Sequence, residues 1–174
     1  GALVLEPEII VADEPVSSLD ASVRGEILKL LLGLRDDFGI AMLVVTHDLG
    51  LAWTIADRVA IMYLGRIVEI GPAEDVLTKP LHPYTKALLE VVPEAGGLSR
   101  PILSGETPDP TRIPEGCRFH PRCPEVSSGA AANAGVEARC RGEDLELIEL
   151  RPGHFAACHL AAARRDDVVP STST

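Results

Sequence analysis

Aromatic side chains are scarce: one Trp, two Tyr and three Phe make up only 3% of the 174 residues, so a core has to be built from Leu, Val, Ile and Ala. Positive charge is short as well, with 16 Lys and Arg against 26 Asp and Glu and a formal net charge of -10. Binding along a nucleic-acid backbone depends on clustered cations, so no nucleic-acid partner is expected. Direct adsorption on anionic lipid is disfavoured for the same reason. Long apolar runs are absent too, and the stretch Ile40 to Val45 reaches only about a third of the ~20 residues that a membrane-spanning helix needs. Glu6 and Glu8 break the first apolar run and no basic segment precedes it, so the start does not read as a signal peptide. There is no initiating Met, and a buried-strand pattern begins within the first nine residues, which reads as the later part of a longer protein. What the chain does have is an ordinary balance of 46% apolar and 24% charged residues, enough for a real core and against wholesale disorder. Its length suits one domain, or one domain with a tail.

Four textures follow one another: residues 1–78, 79–115, 116–160 and 161–174. In the first, Glu8-Ile-Ile-Val-Ala12 is a continuous apolar run ended by charge, the pattern of a parallel strand buried on both faces. Asp20 offers an N-cap to a helix carrying Val23, Ile27, Leu30, Leu31, Leu34 and Phe38, and Gly39 supplies its stop. Ile40 to Val45 reads as a second buried strand, and Asp48 as the cap of a short helix with Leu51, Trp53 and Ile55. Arg58–Tyr63 and Arg66–Ile70 read as strands joined by a tight turn at Leu64-Gly65. Strand, helix, strand, helix, strand predicts an α/β domain. The second stretch holds one helix, Pro83 to Val92, and then a connection punctuated by Pro93, Pro101, Pro108, Pro110 and Pro114. The third holds all four cysteines, with Ser127 to Gly135 reading as a flexible loop. The fourth reads as a flexible tail, fraying over Pro170 to Thr174.

The chemistry is concentrated where the first strand ends, at Asp13-Glu14-Pro15. Open α/β sheets place ligands at the carboxyl ends of their strands. Two acids there can divide labour, one holding Mg²⁺, a hard cation that prefers oxygen, and one polarising the water that attacks a phosphoryl group. Taken alone, such a pair is more often a plain strand end before a proline turn. Its context gives it weight. Ser17-Ser18-Leu19-Asp20 follows directly, and the second strand ends in Thr46-His47-Asp48, with His47 33 residues beyond Glu14. Neighbouring strands lie ~4.8 Å apart, which would bring His47 to the same rim.

These stretches, with Leu49 completing the last, resemble the Walker B motif, D-loop and H-loop of ABC transporter ATPase subunits in order and spacing. Asp57-Arg58-Val59 and Gly65 to Pro72 match the strands that follow in that family. The resemblance covers residues 1–78. It implies an α/β fold, the C-terminal half of a P-loop NTPase domain with a parallel sheet, followed by a small irregular extension bearing the cysteines. It implies that Asp13 acts on Mg²⁺, that Glu14 is the catalytic base, that His47 contacts the γ-phosphate of ATP, and that Ser17 and Asp20 lie at the nucleotide and dimer interface. Implied partners are a second ATPase subunit, two membrane permease subunits and, indirectly, an extracytoplasmic substrate-binding protein, with this chain peripheral on the cytoplasmic face of the plasma membrane. The Gly-x-x-x-x-Gly-Lys-Ser/Thr phosphate loop and the Leu-Ser-Gly-Gly-Gln signature are absent from these residues, so the chain alone is expected to be inactive.

The remainder narrows the family. Leu81-His82-Pro83-Tyr84-Thr85-Lys86-Ala87-Leu88-Leu89, Ile113 to Pro124 and Gly153 to Leu160 resemble segments of oligopeptide, dipeptide and nickel importer subunits. Pro83 suits the first turn of a helix. Cys117, Cys123, Cys140 and Cys158 are spaced C-x5-C-x16-C-x17-C, without a C-x2-C knuckle, so spacing by itself is a weak metal signal. Four buried thiols, a closed Zn²⁺ site and ligands to a [4Fe-4S] cluster all remain open, with His120, His154 and His159 able to substitute in a zinc site. Resemblance to the importer extension favours the cluster. A peptide importer ATPase leads the readings. A nickel importer subunit, a DNA-repair-type ABC ATPase and a stand-alone metal-binding regulatory module are the alternatives; the second would carry coiled-coil heptads or basic surfaces, and neither is visible.

Overall fold

The computed structural model describes residues 7–17, 19–90 and 109–168, so the helix end beyond Glu90 and the prolines at 93, 101 and 108 lie outside the described residues. The chain is α/β, with one parallel and one antiparallel sheet, in two compact units, Gly1–Ala56 and Asp57–Thr174.

In the first unit, strand β1 (Ile9–Asp13) pairs in parallel with β2 (Ala41–Val45), in a register that sets Ile9 opposite Ala41 and Asp13 opposite Val45. The crossover is helix α1 (Ala21–Phe38). It starts where Asp20 Oδ1 accepts the Val23 N–H at 3.0 Å and stops where Gly39 takes φ 65°, a left-handed conformation that costs glycine little. Asp48 caps α2 (Leu49–Ile55) in the same way, accepting the Leu51 N–H at 3.0 Å. One expectation is corrected here. The strands are not buried on both faces: Ile9, Val11, Leu43 and Val45 are 63, 66, 58 and 51% exposed. Burial alternates along both strands because, among the described residues, nothing covers one face of the pair.

In the second unit, β3 (Arg58–Tyr63) and β4 (Arg66–Pro72) form an antiparallel hairpin. Leu64 and Gly65 take φ 47° and 75°, the pair of positive angles that a two-residue hairpin turn requires. The sheet continues with β6 (His154–Ala156) and β5 (Ile148–Arg151), in the spatial order β3-β4-β6-β5. A strand from the cysteine region is thus paired with the hairpin, Glu69 and Ile70 standing opposite Ala156 and Phe155. Helices α3 (Ala73–Thr78) and α4 (Pro83–Glu90) follow the hairpin. His82 caps α4, its Nδ1 accepting the Tyr84 N–H at 3.1 Å, with Pro83 opening the first turn.

The expected loop at 127–135 is largely helical. After α5 (Pro124–Ser127) comes α6 (Ala130–Asn133), flanked by Gly129 and Gly135 at φ 80° and 69°. Ala131 is buried against Val136, Cys140, Cys158 and Leu160, so the alanines act as small packing residues rather than as a linker. Helix α7 (Glu137–Gly142) carries Cys140. Residues 161–168, read from sequence as the start of a tail, complete α8 (His159–Val168), which is anchored by buried Leu160 and runs through good helix-forming alanines.

The unit is fastened by two side-chain clusters. Tyr63, Tyr84 and Phe119 meet with ring centroids 4.6–5.3 Å apart, so half of the chain's six aromatics pin the cysteine loop to the hairpin. Beside them Glu69 is wholly buried, accepting from Leu81 N at 2.7 Å and His82 N at 2.9 Å and lying 2.7 Å from Nε2 of equally buried His154. Gly71 allows this ring its place: a Cβ there would stand 2.9 Å from His154 Cδ2.

Candidate functional site

At the carboxyl rim of the parallel pair, β1 delivers Asp13 and Glu14 and β2 delivers Thr46, His47 and Asp48. Glu14 takes φ 45°, a left-handed backbone uncommon outside glycine, held by its N–H donating to the Val45 carbonyl at 2.8 Å. Backbone strain of this kind tends to persist where the surrounding structure fixes a side chain for use. The turn turns the carboxylate toward β2. Its Oε1 accepts the His47 N–H at 2.9 Å and lies 2.6 Å from His47 Nδ1, while Oε2 accepts the Thr46 hydroxyl at 3.3 Å. The His47 side chain holds the Glu14 carboxyl below its usual range, with partial desolvation working against it. Glu14 is therefore ionised at neutral pH, and the His47 side chain, 82% exposed, is free to meet a ligand.

The other expected residues fall around this pair in different ways. Asp13 ends β1 exposed to solvent. Ser17 donates its hydroxyl to the Glu14 carbonyl at 3.2 Å and so braces the turn that carries the carboxylate. Asp20 is engaged at the N-terminus of α1. Thr46 was not singled out from sequence, yet it ties the rim together, since its hydroxyl also accepts the Asp48 N–H at 3.1 Å. Arg24, on α1, reaches Asp48 Oδ2 at 3.1 Å and joins the two helices behind the rim.

In the second unit all four cysteines line one cavity together with His120 and His159. All four are free thiols. Burial pushes every one of them up, Cys123 and Cys140 to about 11, so all are protonated at neutral pH. The free space between them is about 20 Å³, room for roughly one water. Among the described residues no three or more His, Cys, Asp or Glu side chains are gathered so as to hold a metal ion. His154, weighed from sequence as a zinc substitute, does not line the thiol cavity but pairs with buried Glu69, a contact that sequence reasoning missed because the two are 85 residues apart and only the sheet order brings them together.

Residues 68–129 match the model of the oligopeptide/dipeptide transporter C-terminal region. A probable peptide ABC transporter ATP-binding protein of Sinorhizobium fredii is 44% identical over 164 residues, covering 92% of this chain and 44% of its own length. A putative peptide import ATP-binding protein of Brucella ovis is 44% identical over 160 residues, 90% of this chain and 47% of its own. The chain belongs to the peptide ABC transporter ATP-binding family. The oligopeptide transport ATP-binding protein AppF of Bacillus subtilis is a further member, 41% identical over 164 residues, 91% of this chain and 47% of its own. The present ABC chain thus spans about half the length of the curated relatives it matches. The matched C-terminal region takes in Glu69, the His82-Pro83-Tyr84 helix start, Cys117 and Cys123, and ends before Cys140 and Cys158.

Proposed function

We propose that this chain is part of the ATP-hydrolysing subunit of an ABC importer for peptides and carries its Walker B acids, D-loop and switch histidine. The observation that carries the reading is the Glu14–His47 pair: an ionised carboxylate at the end of β1 held 2.6 Å from an exposed imidazole at the end of β2. Glu14 orients the attacking water and accepts its proton. His47 swings from Glu14 to the γ-phosphate of ATP, which its exposure permits. Asp13 holds Mg²⁺, which supplies charge neutralisation at the phosphates. Asp20 and Ser17 face a second ATPase subunit across the nucleotide. The bare face of β1 and β2 agrees with a chain that spans about half the length of its relatives; in a whole subunit further residues would cover that face and supply the phosphate loop. Two membrane permease subunits and an extracytoplasmic binding protein complete the importer, with this subunit on the cytoplasmic face of the membrane. Among the described residues no helix is long and apolar enough to cross a membrane. In the full-length protein Glu14→Gln is expected to leave ATP binding intact and to lower turnover by roughly 10²-fold or more. Unchanged hydrolysis in that variant would remove Glu14 as the base.

The four thiols are proposed to take a metal staple, a [4Fe-4S] cluster with Zn²⁺ as the alternative. The donor chemistry alone supports this: four thiols line one cavity in a region stitched together by short helices, although they are not gathered as metal ligands. As the side chains stand, the space of about 20 Å³ between Cys117, Cys123, Cys140 and Cys158 does not accept such a group, which would be held by these four sulfurs as thiolates. Anaerobic purification followed by iron, sulfide and zinc assay decides it. About four irons per chain with broad absorption near ~400 nm supports the cluster, one zinc supports the structural site, and neither metal overturns the staple.

A further inference from the structure

Apart from the hydrolytic rim and the thiol cavity, the second unit contains an open cavity of about 490 Å³, a volume within the ~300–1,000 Å³ typical of small-molecule sites. Its charged lining is Lys86 from α4, Arg151 from β5, Arg164 and Arg165 from α8, and a single acid, Glu125 from α5. Four cations to one acid inverts the balance of a chain with 26 acids and 16 Lys and Arg. These cations come from three separate elements, so they do not arise from one basic run of sequence.

The guanidiniums are also positioned. Arg151 Nη1 donates to the Lys79 carbonyl at 2.9 Å, Arg165 Nη1 donates to the Glu149 carbonyl, and Arg164 Nη2 donates to Glu125 Oε2 at 3.3 Å. A backbone carbonyl fixes a guanidinium without neutralising it, and a guanidinium has five N–H donors in a rigid fork. Arg151 and Arg165 are therefore held in place with their charge uncompensated by these bonds. Lys86, on α4, adds a fourth cation to the lining. The floor is apolar, from Leu150, Leu160 and Ala161. Apolar lining with several cations, three of them tethered, matches a compact ligand bearing more than one negative group.

We propose that this cavity binds a small, multiply charged anion carrying phosphate or carboxylate groups, at a site made by second-unit residues alone. Pro83, Glu125, Cys158 and Leu160 line both this cavity and the thiol cavity, so the ligand rests against the wall that holds Cys158. The site does not depend on the thiols carrying a metal or on the hydrolysis of ATP.

The test is isothermal titration of the nucleotide-free full-length protein with tricarballylate and with inorganic phosphate, at ~0.15 M salt, where non-specific surface attraction is screened. One saturable site per chain is expected, weakened at least tenfold in Lys86→Met/Arg164→Gln while ATP turnover is unchanged. Ala161→Glu, which sets a carboxylate into the cavity from a helix, is expected to abolish binding with the fold retained. No saturable binding of either anion, or equal affinity in the double variant, overturns the proposal. Vesicles containing phosphatidylglycerol form a third arm. Capture by the vesicles that the double variant loses, with neither soluble anion bound, overturns the small-molecule ligand and assigns the cations to a lipid headgroup.

Discussion

The two units of this chain solve the burial problem to different degrees. Of the ten large hydrophobic side chains left exposed among the described residues, eight lie before Asp57: Ile9, Val11, Val23, Leu30, Phe38, Leu43, Val45 and Trp53. The second unit instead closes on itself, with Val59, Ile61, Val68, Val76, Phe119 and Leu160 all buried. The acids and the histidine proposed for chemistry sit in the unit that leaves its apolar surface open. A parallel pair with one crossover helix has faces that only further elements can cover. An antiparallel four-stranded sheet, sewn from a hairpin and a returning strand, needs far less help. The difference teaches that the proposed reacting groups sit on the less fully buried unit, whereas the hairpin and the cysteine region together carry a core of their own.

The largest effect is expected where the second unit is fastened. Glu69→Ala leaves buried His154 and the Leu81 and His82 N–H groups without their acceptor. Removing one partner of a buried pair costs roughly 3–5 kcal/mol, a large share of the ~5–15 kcal/mol that stabilises a domain. Hydrogen exchange is the appropriate readout, because it reports each unit separately. In the parent chain, amides of β3, β4 and β6 are expected to be protected and those of β1 and β2 to exchange quickly. In Glu69→Ala the protection of the second unit should collapse toward that of the first. Protection that survives in β4 and β6 would mean the sheet and the aromatic cluster suffice without the buried carboxylate.

The contrast between the units also marks how far the sequence could be read. The caps at Asp20 and Asp48, the glycine stop at Gly39 and the Leu64-Gly65 turn act within a few residues of themselves, so local chemistry announces them. The pairing of Glu14 with His47 was legible because one helix of ordinary length separates two parallel neighbours. The second unit was less legible. Nothing local tells β6 to return beside β4, and the Glu69–His154 contact is a consequence of that return. Ala-Ala-Ala-Asn with flanking glycines looks like a linker until Leu160 and Cys158 provide something for Ala131 to pack on. In the first unit the reverse error arose: continuous apolar runs read as doubly covered strands, and the covering layer is absent from the described residues.

A middle-sized effect is expected on acidification. Burial, reinforced by the neighbouring Lys86 cation and opposed by the Ala157 backbone, pushes His82 down to about 3 from its usual 6.5. Between those values the unfolded chain binds a proton that the folded chain refuses, so stability rises with pH across the window and is lost as pH falls below about 6.5. The slope for one such proton approaches about 1.4 kcal/mol per pH unit. Thermal unfolding of the second unit should therefore move down between pH 7 and 5. His82→Asn keeps a side chain able to cap α4 and removes the titration, so its melting temperature should depend less on pH over that range. An unchanged pH slope in the variant would show that other groups carry the acid sensitivity.

The smallest effect is expected in the first unit, at the ion pair between Arg24 and Asp48. The pair is well formed at 3.1 Å, but its side chains are 38 and 36% exposed. Solvent screening and the entropy of holding a long side chain leave such pairs worth about 0.2–1 kcal/mol. Asp48 keeps its capping bond to Leu51 whether or not the guanidinium is present. Arg24→Gln in the full-length protein is therefore expected to shift stability by less than about 0.5 kcal/mol and to leave ATP turnover within twofold. Chemical denaturation followed by the single Trp, Trp53 on α2, would measure it at the helix concerned. A loss well above that range would mean that α1 and α2 are clamped through Asp48 rather than left to be covered by the rest of the protein. The first unit would then owe more of its order to its own residues than its open apolar surface implies.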